Sequence, residues 1–445
     1  MYPELIKSPI SDGKKYYLKK RPGVAAGTTY SGTPQGIFYW AKPNIYLVAA
    51  GGTLYFNGTA ILTLATSTGV VGFTEYDIST EDVLFVCDGT QAYTINGSGT
   101  VTATITSANG LPSPHIPAPV FLDGYIFLAS ANSQSINNSN LNDPTTWPAD
   151  GFIYKEMFPD NVVWMTKAQN YLVGIGSASI EFFYDNANST GSPLLPNAPA
   201  VAQFGCPAPQ SVVQTEVETI LIGSTDAGGH TVWTISGFQP TEIASEPVRE
   251  ALDLEGTSLT QATGFCVQCS GHKWYVMNLV GNSRTFVYDF DEQMWHEWSS
   301  GTTQQYFQWA FAADSGNGSP MLLSATSGQT GVLSPTNYTD LGNAINCEVI
   351  TSKLDFDTIM RKRIFRLSLI GDAPNANNNV PLTLNWSDDD YNTWVGGLTI
   401  EMSGDYPTVT QLGYTRRRAF QFIYQQPYPL RLEAFEVDII QEVRR

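Results

Sequence analysis

The chain has 445 residues, of which 42% are hydrophobic and only 14% charged, where roughly 25% charged is usual. It can therefore bury a sizeable core, and its abundant Thr, Ser, Asn, Gln and Gly suit sheet edges, turns and surfaces that meet other protein. No apolar run is long enough to span a bilayer and the N-terminus carries no apolar signal core, so synthesis in a cytoplasm without membrane insertion is expected. The net charge of −18 divides into +5 over residues 1–42, −22 over 43–352 and −1 over 353–445. A nucleic-acid grip by the central block is thereby disfavoured, since a binder needs cations to displace phosphate counterions.

The first 42 residues hold a basic cluster, Lys14, Lys15, Lys19, Lys20 and Arg21. From residue 43 a loose repeat begins: an apolar strand, a turn and a second strand. Ile45-Tyr46-Leu47-Val48, Gly51-Gly52 and Leu54-Tyr55-Phe56 make the first; Val83-Leu84-Phe85-Val86, Asp88-Gly89 and Ala92-Tyr93-Thr94-Ile95 the second. Later ones start at Tyr125, Tyr171, Thr219, Trp274 and Met321. Gly-Gly and Asp-Gly between apolar runs are hairpin signals, and a period of roughly 40–50 residues is that of a β-propeller. Six or seven blades are expected over residues 43–345; the competing reading is a two-sheet sandwich with hairpins of similar length. The one helix expected starts at Ser245, has Glu246 and Pro247 in its first turn and runs to about Leu252.

Past residue 345 the pattern changes. Ile364 to Ile370, Leu382 to Trp386 and Phe420 to Tyr424 alternate apolar and polar, with Glu436 to Ile440 as a last strand. Residues 346–445 read as a separate antiparallel sandwich on which segment 1–42 docks. It carries two further basic clusters, Arg361, Lys362 and Arg363, then Arg416, Arg417 and Arg418. The whole is an all-β protein, and the three basic clusters are the candidate partner-docking residues.

Catalytic signatures are missing: no nucleophile elbow, phosphate loop or dinucleotide fingerprint occurs. Cys266 and Cys269, with His272 nearby, have partial zinc-ligand spacing but lack a second pair. The five cysteines form no disulfide framework. A glycosidase pair is defined by three-dimensional spacing. Ser387 to Trp394, with Asp388, Asp389 and Asp390, is similar to an Asp-box turn without its glycine. No catalytic residue, metal or cofactor is expected.

Several stretches together resemble the tail nozzle, or packaged-DNA-stabilisation, proteins of short-tailed bacteriophages (podoviruses). They are Arg21-Pro22-Gly23-Val24, Leu141-Asn142-Asp143-Pro144-Thr145-Thr146-Trp147, Ser179-Ile180-Glu181-Phe182-Phe183, Phe204-Gly205-Cys206-Pro207, Ser211-Val212-Val213, Tyr288-Asp289 through Trp298, and Leu412-Gly413-Tyr414 through Phe420. The resemblance implies a virion tail protein made in the host cytoplasm. It implies a homo-hexameric distal ring below a tail adaptor, with tailspikes or fibres nearby and a needle or plug at the tip. Double-stranded DNA is retained behind the ring and then ejected through it without specific binding. The competing function is a receptor-binding or glycan-cleaving propeller on the same virion.

Overall fold

A computed structural model describes residues 2–5, 16–78, 81–188, 190–224, 228–302, 305–372, 379–404 and 406–441. Two compact units emerge, one comprising Gly27–Val287 and Gln308–Val332, the other Met1–Ala26, Tyr288–Phe307 and Leu333–Arg445.

The first unit is the propeller. Its innermost strands are Pro34–Trp40, Gly72–Ile78, Val120–Leu122, Val162–Ala168, Val213–Gln214, Thr263–Cys269 and Trp309–Ala313. Each touches the next, and the last touches the first, so a ring of seven closes among the described residues. Successive strands run antiparallel outward from each inner one, as in Pro34–Trp40, Ile45–Ala50, Thr53–Phe56 and Thr59–Thr63.

Why the second strand of each blade is a continuous apolar run follows from what lies on its two faces. Leu84 and Val86 join Leu47, Ala49 and Tyr93 in the core between the first two blades. Val83, Phe85 and Cys87 point the opposite way, to Ile126, Leu128 and Trp147 of the third. Phe127 and Ala129 then pack on Leu172 and Phe183 of the fourth. A strand buried on both sides has no polar positions to alternate with. The Gly51-Gly52 turn works because both residues take positive φ, 57° and 76°, which a Cβ would disfavour.

The seventh blade shows where the ring is sealed. Its strands Trp309–Ala313, Met321–Ser324 and Gly328–Ser334 are followed in the sheet by Gly23–Tyr30, from the other end of the sequence. Within the propeller unit, Thr330 Oγ1 donates to the Thr28 carbonyl at 2.7 Å and Gln329 Nε2 to that of Gly27 at 3.1 Å. The unit limits therefore differ from boundaries at 42 and 345. Residues 27–42 belong to the propeller because they supply its outermost closing strand and its first inner strand; residues 333–345 and 288–307 lie with the termini.

In the terminal unit two sheets enclose one core. One runs in the order Tyr2–Leu5, Tyr16–Lys19, Arg431–Gln441, Lys362–Asp372, Thr408–Thr415; the other Cys347–Ile350, Ala419–Tyr424, Pro381–Ser387, Val395–Glu401. The inward residues Ile364, Leu367, Leu369, Leu382, Leu384, Phe420, Phe422 and Tyr424 pack together. Alternation changes phase at Phe365, where the register slips between Ile364 and Arg366, so one extra residue turns outward. The N-terminal segment is bound here through Leu18 and Lys19, opposite Leu432 and Arg431.

The expected helix is present over Glu246–Leu254, burying Val248, Ala251 and Leu252, with Pro247 in its first turn. There proline has no helical hydrogen bond to lose.

Candidate functional site

The three basic clusters separate sharply by burial. Lys14 and Lys15 lie outside the described residues. Lys19 is half-buried in the N-terminal strand. Lys20 is buried, its Nζ donating to the Gln426 carbonyl at 2.5 Å and lying 5.3 Å from the centre of the Tyr424 ring. Burial lowers its pKa to about 8.

Arg21 is buried beside Phe307 and Trp298, its guanidinium 4.8 and 5.5 Å from their ring centres. It forms a two-pronged ion pair with Asp340 and donates to the Ser299 carbonyl at 2.7 Å. Asp340 also accepts from the Val24 amide at 3.1 Å. The Arg21-Pro22-Gly23-Val24 stretch is thus a structural anchor within the terminal unit.

Lys362 is likewise buried, its ammonium donating to the carbonyls of Asp355, Thr358 and Arg416. Arg418 is buried and donates Nε and Nη2 to the two oxygens of Asp388 at 2.8 and 2.7 Å, with Trp386 against its face. Lys20, Arg21, Lys362 and Arg418 therefore cannot meet a partner, contrary to the docking expectation. In each case acceptors meet the charge, from distant parts of the chain for Lys20, Arg21 and Arg418 and partly from the preceding loop for Lys362, which makes its burial tolerable. Arg361, Arg363, Arg416 and Arg417 remain exposed.

The Asp-box-like turn is fully engaged by protein groups. Asp389 accepts from Ser387 Oγ and the Thr393 amide at 2.9 Å each, and from Thr393 Oγ1. Asp390 pairs with Lys353 at 2.8 Å and Arg417 at 2.7 Å. The Thr393 donations hold Asp389, and Lys353 holds Asp390, below the ordinary carboxylate range.

Other motifs join blades. Trp147 is buried against Phe85, and its Nε1 donates to the Pro144 carbonyl at 3.1 Å. Ser211 Oγ donates to the Ala208 carbonyl and accepts from the Ile222 amide, while Tyr275 donates to the Ser211 carbonyl at 2.9 Å, linking the fifth and sixth blades.

The Ser179-to-Phe183 stretch contributes Ser179 and Glu181 to a buried cluster that sequence reasoning missed. Lys155 lies between Asp160 and Glu181, and Asp160 also accepts from Ser179 Oγ and the Ala178 amide at 2.8 Å each. Glu181 Oε1 accepts from the Met157 and Phe158 amides, whereas Oε2 is buried without a partner. Burial raises the Glu181 pKa. Asp160 is half-buried, but donations from Lys155, Ala178 and Ser179 outweigh the effect of that burial and lower its pKa. Lys155 is near Asp160 in sequence, but Ser179 and Glu181 reach it from a later stretch of the chain, and that convergence leaves no local pattern.

Cys266 and Cys269 lie on one strand at odd separation, and so on opposite faces. They assemble with no third ligand among the described residues. Burial raises both thiols, that of Cys266 to about 12, so neither is a thiolate at neutral pH.

No curated protein sequence matches the chain. Among solved structures, the Neurospora crassa Pan2 WD40 domain is 9% identical over 71% of this chain and 94% of its own, with a TM-score of 0.45. The Cps50 (Swd1) β-propeller domain of Myceliophthora thermophila is 8% identical over 70% and 100%, with a TM-score of 0.46. Similarity at this level adds nothing to the assignment. It rests on a family model that matches most of the sequence: the chain belongs to the phage stabilisation family described as bacteriophage P22 Gp10, β-propeller, whose model covers residues 1–338.

Proposed function

We propose that this phage structural protein forms the distal nozzle ring of a short tail, holding packaged DNA and then conducting it during ejection. The family match over residues 1–338 carries this reading. The physical character of the chain agrees with it. The propeller unit has 6 basic and 21 acidic residues, net −15, and like charges repel DNA within a Debye length of about 8 Å. A wall of that sign lets a polyanion slide without adsorbing. The ring is a homo-oligomer, a hexamer in this reading, attached to an upstream adaptor and adjoining spikes or fibres. The chain itself is not an enzyme in this reading: its conspicuous polar constellations hold turns and blades together, and burial raises the thiols of Cys87, Cys206, Cys266 and Cys269.

The test is a stop codon in the reading frame of the phage that encodes the chain. Particles should fill with DNA and then leak it to added nuclease, and supplying the protein in trans should restore retention and infectivity. Normal retention without the protein would overturn the proposal. Release of sugars from host polysaccharide by the purified chain would favour the glycan-cleaving alternative.

A further inference from the structure

We propose that the outward face of the terminal unit around Arg363, Tyr414 and Ile440 binds the acidic propeller surface of a second copy of this chain; the proposal rests on the ring reading above. In the sheet, Arg363 lies opposite Tyr414 on one side and Ile440 on the other, so the three form one row. Tyr414 is 44% exposed, Ile440 60% and the bulged Phe365 48%. The Arg361 and Arg363 guanidiniums lie 4.7 and 5.9 Å from the Tyr414 ring centre. Thr408–Thr415, which carries Tyr414, is an edge strand, and the nearby Ile359 and Met360 are 80% and 42% exposed.

Single exposed apolar residues mean little, but a cluster of them around arginine and tyrosine has the composition of an interface centre. The charges point the same way. Arg366, Arg417, Arg418 and Arg431 each have a carboxylate partner. Arg363 and Arg416 form no ion pair among the described residues. Both are exposed, so their guanidiniums are free to meet an acidic surface.

Two observations identify the occupant. The apolar share of the patch, and the terminal unit's own net charge of −3 from 17 basic and 20 acidic residues, fit a protein better than a polyanion. The propeller of the same chain, at net −15, supplies the complementary surface. Complementary fields steer association and fix orientation. Because the two surfaces differ, the contact is head-to-tail, the type that closes into rings.

The experiment uses the full chain. Sedimentation velocity should show self-association that weakens with salt. R363E/R416E, and separately Y414A, should weaken it at least tenfold while circular dichroism matches wild type. A photoreactive benzoylphenylalanine at position 414 should crosslink to residues 27–287 or 308–332 of the second copy. A ring that survives both variants, or crosslinks within residues 333–441, would overturn the proposal and leave the ring reading standing. A wild-type chain that stays monomeric at all concentrations would overturn both. Salt-sensitive DNA retardation lost in R363E/R416E, with self-association unchanged, would reassign the patch to nucleic acid.

Discussion

Replacing Arg21 with methionine is expected to unfold the terminal unit readily, because it leaves a carboxylate buried without its counter-ion. Arg21 and Asp340 have side chains 2% and 7% exposed. With the guanidinium gone, Asp340 keeps the Val24 amide as a partner at 3.1 Å, and the Ser299 carbonyl loses its donor. Breaking a buried pair from one side costs about 3–5 kcal/mol, and the stacking against Phe307 and Trp298 adds about 0.5–2 kcal/mol. The double variant R21M/D340L removes both charges together and should recover most of that loss, since a buried pair exchanged for apolar side chains is often neutral. Urea unfolding followed by tryptophan fluorescence reads the effect, with Trp298 as a reporter beside the site. A loss in R21M below about 1 kcal/mol, or a double variant no better than the single, would refute the structural role and return Arg21 to the candidate docking residues.

Lys20 predicts a pH dependence: with a folded pKa of about 8 against 10.5, the folded state binds fewer protons between those values. Stability therefore rises with pH across that window, by up to about 3 kcal/mol, and K20M should flatten the rise in urea midpoints measured from pH 7.5 to 10.5. In the propeller, Glu181 has a raised pKa, so the stability it contributes is present below its unfolded value and lost as pH rises through the folded one. E181Q should be neutral or stabilising at pH 7, whereas K155M should cost about 3–5 kcal/mol; the reverse order in thermal melts would contradict the charge balance assigned to the cluster. L84A, at a fully buried position between the first two blades, should cost about 2–5 kcal/mol, and an unchanged melting temperature would count against that packing.

What the sequence discloses depends on how far a signal reaches. Runs such as Val83 to Val86 announce strands buried on both faces, and Pro247 after Ser245 announces a helix start, because both are local. Gly23–Tyr30 has no such signature: most of it is exposed, and its partner is about 300 residues away. It is a strand only because the seventh blade has an open edge. The basic clusters mislead for a related reason. Adjacent cations look like a solvated surface, yet Arg21 is buried because Asp340 meets it from 319 residues away, and Arg418 because Asp388 does from 30. At Phe365 the bulge shifts the alternation by one residue, which the apolar-polar pattern around it does not betray.

The seam between Gly27–Tyr30 and Gly328–Val332 also dictates an order of events at the ribosome. Blades can collapse one after another as they emerge, each covering its predecessor, but the ring must wait for the last of them before its ends can meet. Until then the first blade and the growing end of the array both present bare apolar faces, and the early strand has nothing to join. Joining ends so far apart is entropically slow. Refolding from urea should therefore show rapid formation of sheet signal followed by a slow closing phase. In that interval, neighbouring chains at high concentration would exchange their early strands and form swapped dimers.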